Sequence, residues 1–359
     1  MRFAKGLATL AAAAGLLLGG AGNIRHGAEA RCAPGEGLGF ICGPVASEDI
    51  ARVPDTPWLI ASGLNIGRRA HLYLIDTRAK TAAPLFPRGH PEMKHDRRLA
   101  PDCPGPPDLS RMSTDGLGLR RGARGLHTLY AANHGDRMAI EMFEVDTRGA
   151  KPKLRWVGCA PMPAETLPNA VAPLPGGRLI VTSFYDPTDK TAWARMARGE
   201  ATGRLLEWRP DGGFRDLPGG TMSGANGVET SADGETIYAS AWSGRALVVM
   251  SRQSGARREI PLPFMPDNIR RQADGSLLVT GQHGKVEDIA ACTAQCPQAW
   301  EVARVDPRSG AVAPLLKRPG TAAVNYGCTA LAVDGVLYIT ARGDARIAYA
   351  RVSDLPSLQ

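Results

Sequence analysis

NGVETSADGETIYASAW, residues 226–242, carries the pattern that decides the fold. An apolar, β-branched run enters an Asp-Gly pair, and a second alternating run leaves it. Asp-Gly reaches the positive φ of a tight hairpin with little strain, so the stretch reads as two antiparallel strands. The same grammar recurs at NAVAPLPGGRLIVTSF (169–184), NIRRQADGSLLVTGQ (268–282) and, in shortened form, CTALAVDGVLYITARG (328–343). A third strand follows each copy: RLLEWRP, ALVVMSR, EVARVDP and RIAYARV. Looser copies pair WLIASGL with HLYLIDT near 58–76 and LHTLYAANH with AIEMFEVD near 126–146. Six units spaced by about 40–60 residues are the period of propeller blades. A β-sandwich also has many short strands, but it lacks this repeated hairpin-plus-strand unit. The expected fold is therefore all-β, a six-bladed β-propeller, with one short helix at DKTAWARMARG (189–199).

Outward from the repeats, the N-terminus has a different composition. MRFAKGLATLAAAAGLLLGGAG follows two basic residues with a short apolar run, and Ala28-Glu29-Ala30 offers a small-x-small cleavage point. Residues 1–30 are expected to be a signal peptide, or an uncleaved anchor, and 31–359 the propeller. The run is short and Gly-rich beside the roughly 20 apolar residues of a spanning helix, so any membrane association is expected through this segment alone. An exported protein, periplasmic or extracellular, is the expectation. Seven cysteines suit an oxidising compartment. Cys292 and Cys296 lie close enough to bridge within one loop, while the pairing of Cys32, Cys42, Cys103, Cys159 and Cys328 stays open. The odd count leaves at least one thiol free or paired with another chain, and no CxxC or Cys/His array marks a zinc site.

The net charge of +8 comes from scattered arginines, which read as a solvated basic surface. With 6% aromatic residues the chain has no stacking platform for nucleic acid, so that partner class is excluded.

A propeller brings the first residues of its inner strands into one ring at a channel mouth. Polar residues stand at that repeating place: Glu48-Asp49, Asn169, Asn226 and Asp267-Asn268 each precede an apolar strand. Carboxylate and amide oxygens in this mixture suit a hard cation such as Ca²⁺, which takes six to eight oxygen ligands. The set holds no thiolate or imidazole, which argues against zinc or copper.

SEDI (47–50), NHGDRMAIEMFEVD (133–146), GANGVETSADGETIYASAW (224–242) and PDNIRRQADGSLLVTGQHG (266–284) resemble segments of the paraoxonase family in matching order. The resemblance spans residues 45–352, and regucalcin and gluconolactonase-like enzymes share its general plan. It implies a calcium-dependent lactonase or arylesterase acting on a small-molecule ester or lactone. It further implies a catalytic Ca²⁺ held by Glu48, Asn169, Asn226, Asp267 and Asn268. A second, structural calcium of the family keeps Asp49 here but meets Ala170 where an acid is expected, leaving Asp49 and the Leu117 carbonyl as donors.

Of the two family histidines that activate water, His134 matches the second, and Asp115 stands in place of the first. His134 and Asp115 are therefore the catalytic candidates, with Asp115 either the general base paired with His134 or an added metal ligand, and Asp186 and His283 fall where the family places cleft residues. Ala350 stands where some members have the cysteine that ties the N-terminus to the last strand, so ring closure falls to strand pairing or another bridge. No GxSxG elbow supports a serine esterase. Two other readings remain: a non-hydrolytic propeller enzyme resembling strictosidine synthase, and a calcium-stabilised binding propeller without catalysis.

Overall fold

The computed structural model describes residues 32–65, 69–291, 297–321, 324–342 and 345–355. The expected signal segment 1–30 and the Cys292–Cys296 pair lie outside the described residues. Six antiparallel sheets follow one another along the chain, as the repeats predict. Blade 1 begins with the inner strand Ile50–Arg52, blade 2 with Thr114–Arg120, blade 3 with Pro168–Pro173 and blade 4 with Ala225–Thr230. Met265–Arg271 and Gly327–Val333 open blades 5 and 6. In the clear repeats the quoted hairpin is the inner strand and its neighbour, turned at positive-φ glycines such as Gly275 (φ 85°).

The two looser repeats sit one strand further out. Trp58–Ala61 with Leu72–Asp76, and Leu126–Asn133 with Ala139–Asp146, are the second and third strands of blades 1 and 2. The blade 1 inner strand spans three residues, too few to show alternation, which is why the sequence reading begins one strand late there. Fourth strands such as Arg257–Pro261 are largely exposed and carry no apolar alternation. Blade 2 adds a fifth strand, Glu92–Met93, parallel to its outer edge.

Strand pairing closes the ring. Gly39–Cys42 runs antiparallel to Arg346–Arg351, so the N-terminal strand becomes the outer strand of blade 6. Cys42 is bridged to Cys32, a pairing that holds the closing strand to its own preceding turn rather than to the last strand. Cys103–Cys159 ties the long connection between blades 1 and 2 to the outer strand of blade 2.

The core is a series of apolar layers, one between each pair of neighbouring sheets. Ile41, Ile50, Leu59, Tyr338 and Ile347 fill the closure between blades 6 and 1. Leu247, Phe264, Ile269, Val279 and Ala303 fill that between blades 4 and 5. Each fully buried Ile, Leu or Phe contributes roughly 1.5–3 kcal/mol. The expected helix forms as α1, Ala192–Ala197, and meets a second short helix, α2, Val286–Ala290, over one end of the channel. Among the described residues no helix is long and apolar enough to cross a membrane.

Candidate active site

The inner strands of blades 2 to 6 share one irregularity. In each, two residues face a single residue of the second strand. Asp115-Gly116 face Ala132, Asn169-Ala170 face Thr182, Asn226-Gly227 face Ser240, Asp267-Asn268 face Thr280, and Cys328-Thr329 face Thr340. Such a bulge bends the strand and re-aims a side chain. The backbone N–H displaced by the bulge needs a partner, and in blades 3 and 6 a threonine hydroxyl supplies it. Ala170 N donates to Thr182 Oγ1 at 2.8 Å and Thr329 N to Thr340 Oγ1 at 3.1 Å. In blade 1 the equivalent bond runs from Asp49 N to Ser62 Oγ at 2.8 Å. Gly116 and Gly227 let neighbouring blades close up: a Cβ there would lie 2.3 Å from the Asn169 carbonyl oxygen and 2.4 Å from that of Asp267.

The five bulges bring Asp115, Asn169, Asn226, Asp267 and Cys328 to the channel, and the entry of blade 1 adds Glu48. Asn268 lies just behind, its Nδ2 donating to Glu48 Oε1 at 2.8 Å. Gln282 holds Asp267 Oδ2 at 2.7 Å and is itself held by Trp242 Nε1 at 3.1 Å. Glu48 Oε2, Asn169 Oδ1, Asn226 Oδ1, Asp267 Oδ1 and Asn268 Oδ1 are buried and have no hydrogen-bond partner. An unpaired buried polar atom costs about 1–3 kcal/mol, so five side chains with such oxygens are expensive unless a cation takes them. Oxygen donors of this kind fit a hard divalent ion. Burial pushes the Glu48 carboxyl well above the ordinary range, and the Asp115, Asp267 and Asp49 charges add to it. Burial likewise pushes Asp267 up to about 7, against the hydrogen bond from Gln282.

Asp49, one residue on, is held differently. Its Oδ1 accepts from Ile50 N at 2.8 Å, from Thr329 Oγ1 at 2.9 Å and from Arg270, and its Oδ2 accepts from Leu117 N at 2.7 Å. The Arg270 guanidinium also donates to the carbonyls of Leu117, at 3.2 Å, and Ile50, at 3.1 Å. The two donors left for a second calcium, Asp49 and the Leu117 carbonyl, are thus already bridged by an arginine. In this structure the cation between them is the Arg270 side chain.

At the ring's open side, His134 Nε2 lies 3.4 Å from Asp115 Oδ2 and also meets the Pro168 carbonyl. Both neighbours are acceptors, so Nε2 carries the proton. Asn169 Nδ2 holds Asp115 Oδ2 from the other side at 3.3 Å. Beside them opens a cleft of about 120 Å³, lined by Leu167, Phe184, Tyr185, Trp193, Trp242 and Ile289 and by Tyr326 and Arg342. Phe184, Trp193 and Trp242 meet edge to face, with ring centres 5.5 to 6.1 Å apart.

Asp186 and His283, expected in the cleft, are not among its lining. Asp186 caps its own turn, accepting from Thr188 N and Oγ1 at 2.8 Å. His283 pairs with Glu301 at 2.9 Å. Cys328, Gln282, Arg270 and Arg342 belong to the site region but escaped the sequence reading. For Cys328 the signal was present: it opens the sixth inner strand where Asn226 opens the fourth, so the ring does contain a thiol.

No family model and no curated protein matches the sequence. Solved structures do resemble it. A luciferin-regenerating enzyme superposes with a TM-score of 0.54 and 14% identity, over 88% of this chain and 95% of that one. XC5397 from Xanthomonas campestris, a gluconolactonase, gives 0.52 and 19% over 89% of each chain. A putative oxidoreductase (glucose dehydrogenase) from Thermus thermophilus gives 0.51 and 16% over 87% of this chain and 99% of that one. The neighbours include gluconolactonase-like propellers, and at these identities the likeness carries the fold.

Proposed function

We propose that this protein is an exported calcium-dependent hydrolase of lactones or aryl esters, of the kind the paraoxonase resemblance implies. The observation that carries the reading is the set of unpartnered oxygens on Glu48, Asn169, Asn226, Asp267 and Asn268 beside the Asp115–His134 pair. These five residues would hold Ca²⁺, which when bound supplies Lewis acidity to a carbonyl oxygen.

The chain's own groups account for the rest. A water at Asp115 gives its proton to the carboxylate as its oxygen forms a bond to the carbonyl carbon. Asn169 Nδ2 and His134 Nε2–H fix the Asp115 oxygen that faces them, and the imidazole stabilises its charge. When the ring or ester C–O bond breaks, the proton on Asp115 passes to the leaving oxygen, giving an alcohol and a carboxylic acid that releases its proton to water. No covalent enzyme intermediate is needed. The wall of Phe184, Trp193 and Trp242 receives the apolar body of the substrate, and Arg342, in the same lining, interacts with the Asp115 and Glu48 charges. A gluconolactonase among the structural neighbours supports this class of reaction. The two disulfides support export.

Chelator-treated protein, assayed on phenyl acetate and a panel of γ- and δ-lactones, is expected to be inactive and to recover on adding Ca²⁺. Folded, calcium-loaded protein that hydrolyses none of them would overturn the proposal in favour of a binding propeller or another reaction.

A further inference from the structure

We infer that Cys328 is a ligand of the ring, so the cation site takes a thiophilic divalent ion of the zinc or cadmium class as well as a hard one. The inference rests on the cation-site reading above and deepens it. Three observations carry it. Cys328 occupies the first bulge position of blade 6, the place held by Asp115, Asn169, Asn226 and Asp267 in the preceding four blades. Its side chain is fully buried, and its sulfur, a Glu48 carboxylate oxygen and an Asp267 carboxylate oxygen lie within 4.8 Å of one another. Glu48 Oε2 and Asp267 Oδ1 have no hydrogen-bond partner, while the thiol donates one hydrogen bond, to the Tyr326 carbonyl at 3.4 Å.

Two ligands of one tetrahedral ion, with bonds of roughly 2.0–2.3 Å, stand about 3.6 Å apart. Donor atoms already within 4.8 Å of one another are at most about 1.2 Å from that spacing. A sulfur donor adds little for Ca²⁺, which selects oxygen, but much for a soft or borderline ion. With Glu48, Asp267 and Cys328 on one side and the amides of Asn169 and Asn226 on the other, the ring offers two overlapping donor sets. The first suits an S/O-coordinated thiophilic cation and the second completes an all-oxygen cage. The two ions would therefore compete for one place.

The test is a Cd²⁺ titration of the full, chelator-treated chain carrying Cys292→Ser and Cys296→Ser, which removes the two cysteines outside the described residues. We expect one equivalent of Cd²⁺, an ultraviolet thiolate-to-metal charge-transfer band, and displacement of bound ⁴⁵Ca²⁺. Adding Cys328→Ser, or Cys328→Ala as a second variant, should abolish the band and lower Cd²⁺ affinity relative to Ca²⁺ by at least about tenfold. Retained ⁴⁵Ca²⁺ binding certifies that these variants are folded. A band that survives Cys328 replacement, or Cd²⁺ binding without a band, overturns the thiol assignment while leaving the oxygen ring intact. Folded protein that binds neither ion overturns the ring reading, and this inference with it.

Discussion

Glu48 and Asp49 are adjacent in sequence and both are buried, at 4% and 1% exposure, yet they sit in two regions of opposite design. Below the ring, Asp49 has both oxygens taken, by two backbone N–H groups, a threonine hydroxyl and the Arg270 guanidinium. In the ring, Glu48 keeps one oxygen without a partner and faces Asp115 and Asp267. A saturated buried carboxylate specifies structure, because every donor around it is fixed by it. A buried carboxylate with an open lone pair among like charges is costly to the fold and is kept where a ligand takes it. Stability thus ends and chemistry begins between two neighbouring residues of one strand entry.

The largest effect expected across this boundary comes from replacing Arg270. Arg270→Met leaves the Asp49 charge buried and unpaired, so we expect a loss of about 3–5 kcal/mol in urea unfolding of the chelated protein. Glu48→Gln removes a repelled charge and should change chelated stability by less than about 1 kcal/mol while abolishing Ca²⁺ binding. Equal destabilisation by the two changes would erase the distinction between the two carboxylates. Next in size is catalysis. Asp115→Asn should lower kcat about 100-fold with Ca²⁺ affinity changed far less, and His134→Gln should do the same. Variants that keep full turnover would remove Asp115 and His134 from the reaction.

The smallest effect extends the contrast to a third carboxylate. Glu207, in the third strand of blade 3, is fully buried and surrounded by Arg178, Arg209, Arg215 and Arg252. Burial works against its charge, but the hydrogen bonds from Arg215 and Arg209 outweigh it and hold the carboxyl below the ordinary range. Because its pKa is lower folded than unfolded, this pairing stabilises the fold above the ordinary glutamate value of about 4.3. That stability is lost as pH falls through the depressed value. The melting-temperature gap between the wild type and Glu207→Gln should therefore be open at neutral pH and shrink below about pH 4. A gap independent of pH would show that Glu207 acts through packing.

The legible parts of this molecule were those written in local pattern. Period-two alternation and Asp-Gly turns marked the inner and middle strands and the number of blades, since both are set by residues within one hairpin. Outer strands such as Arg257–Pro261 were invisible because one side faces water and the other packs weakly. Within the site, Asn169, Asn226 and Asp267 stood out as polar residues opening apolar strands. Cys328 did not, because a lone cysteine on an apolar strand looks like core. Thr182 and Thr340 would have marked the bulges of blades 3 and 6, and Ser62 the entry of blade 1, had the hydroxyl in each second strand been read as a partner for the N–H opposite.

Blades, ring positions and the oxygen-rich character of the site follow from the sequence without further help, because each is a repeat within one blade. Which of those groups are satisfied was decided by the tertiary structure alone. Asn268 meets Glu48 across 220 positions and Arg270 meets Asp49 across 221, and only closure of the ring by the N-terminal strand sets these distances. Local periodicity aims a side chain at the channel. Whether it finds a cation, a hydroxyl or nothing depends on what the opposite blades bring.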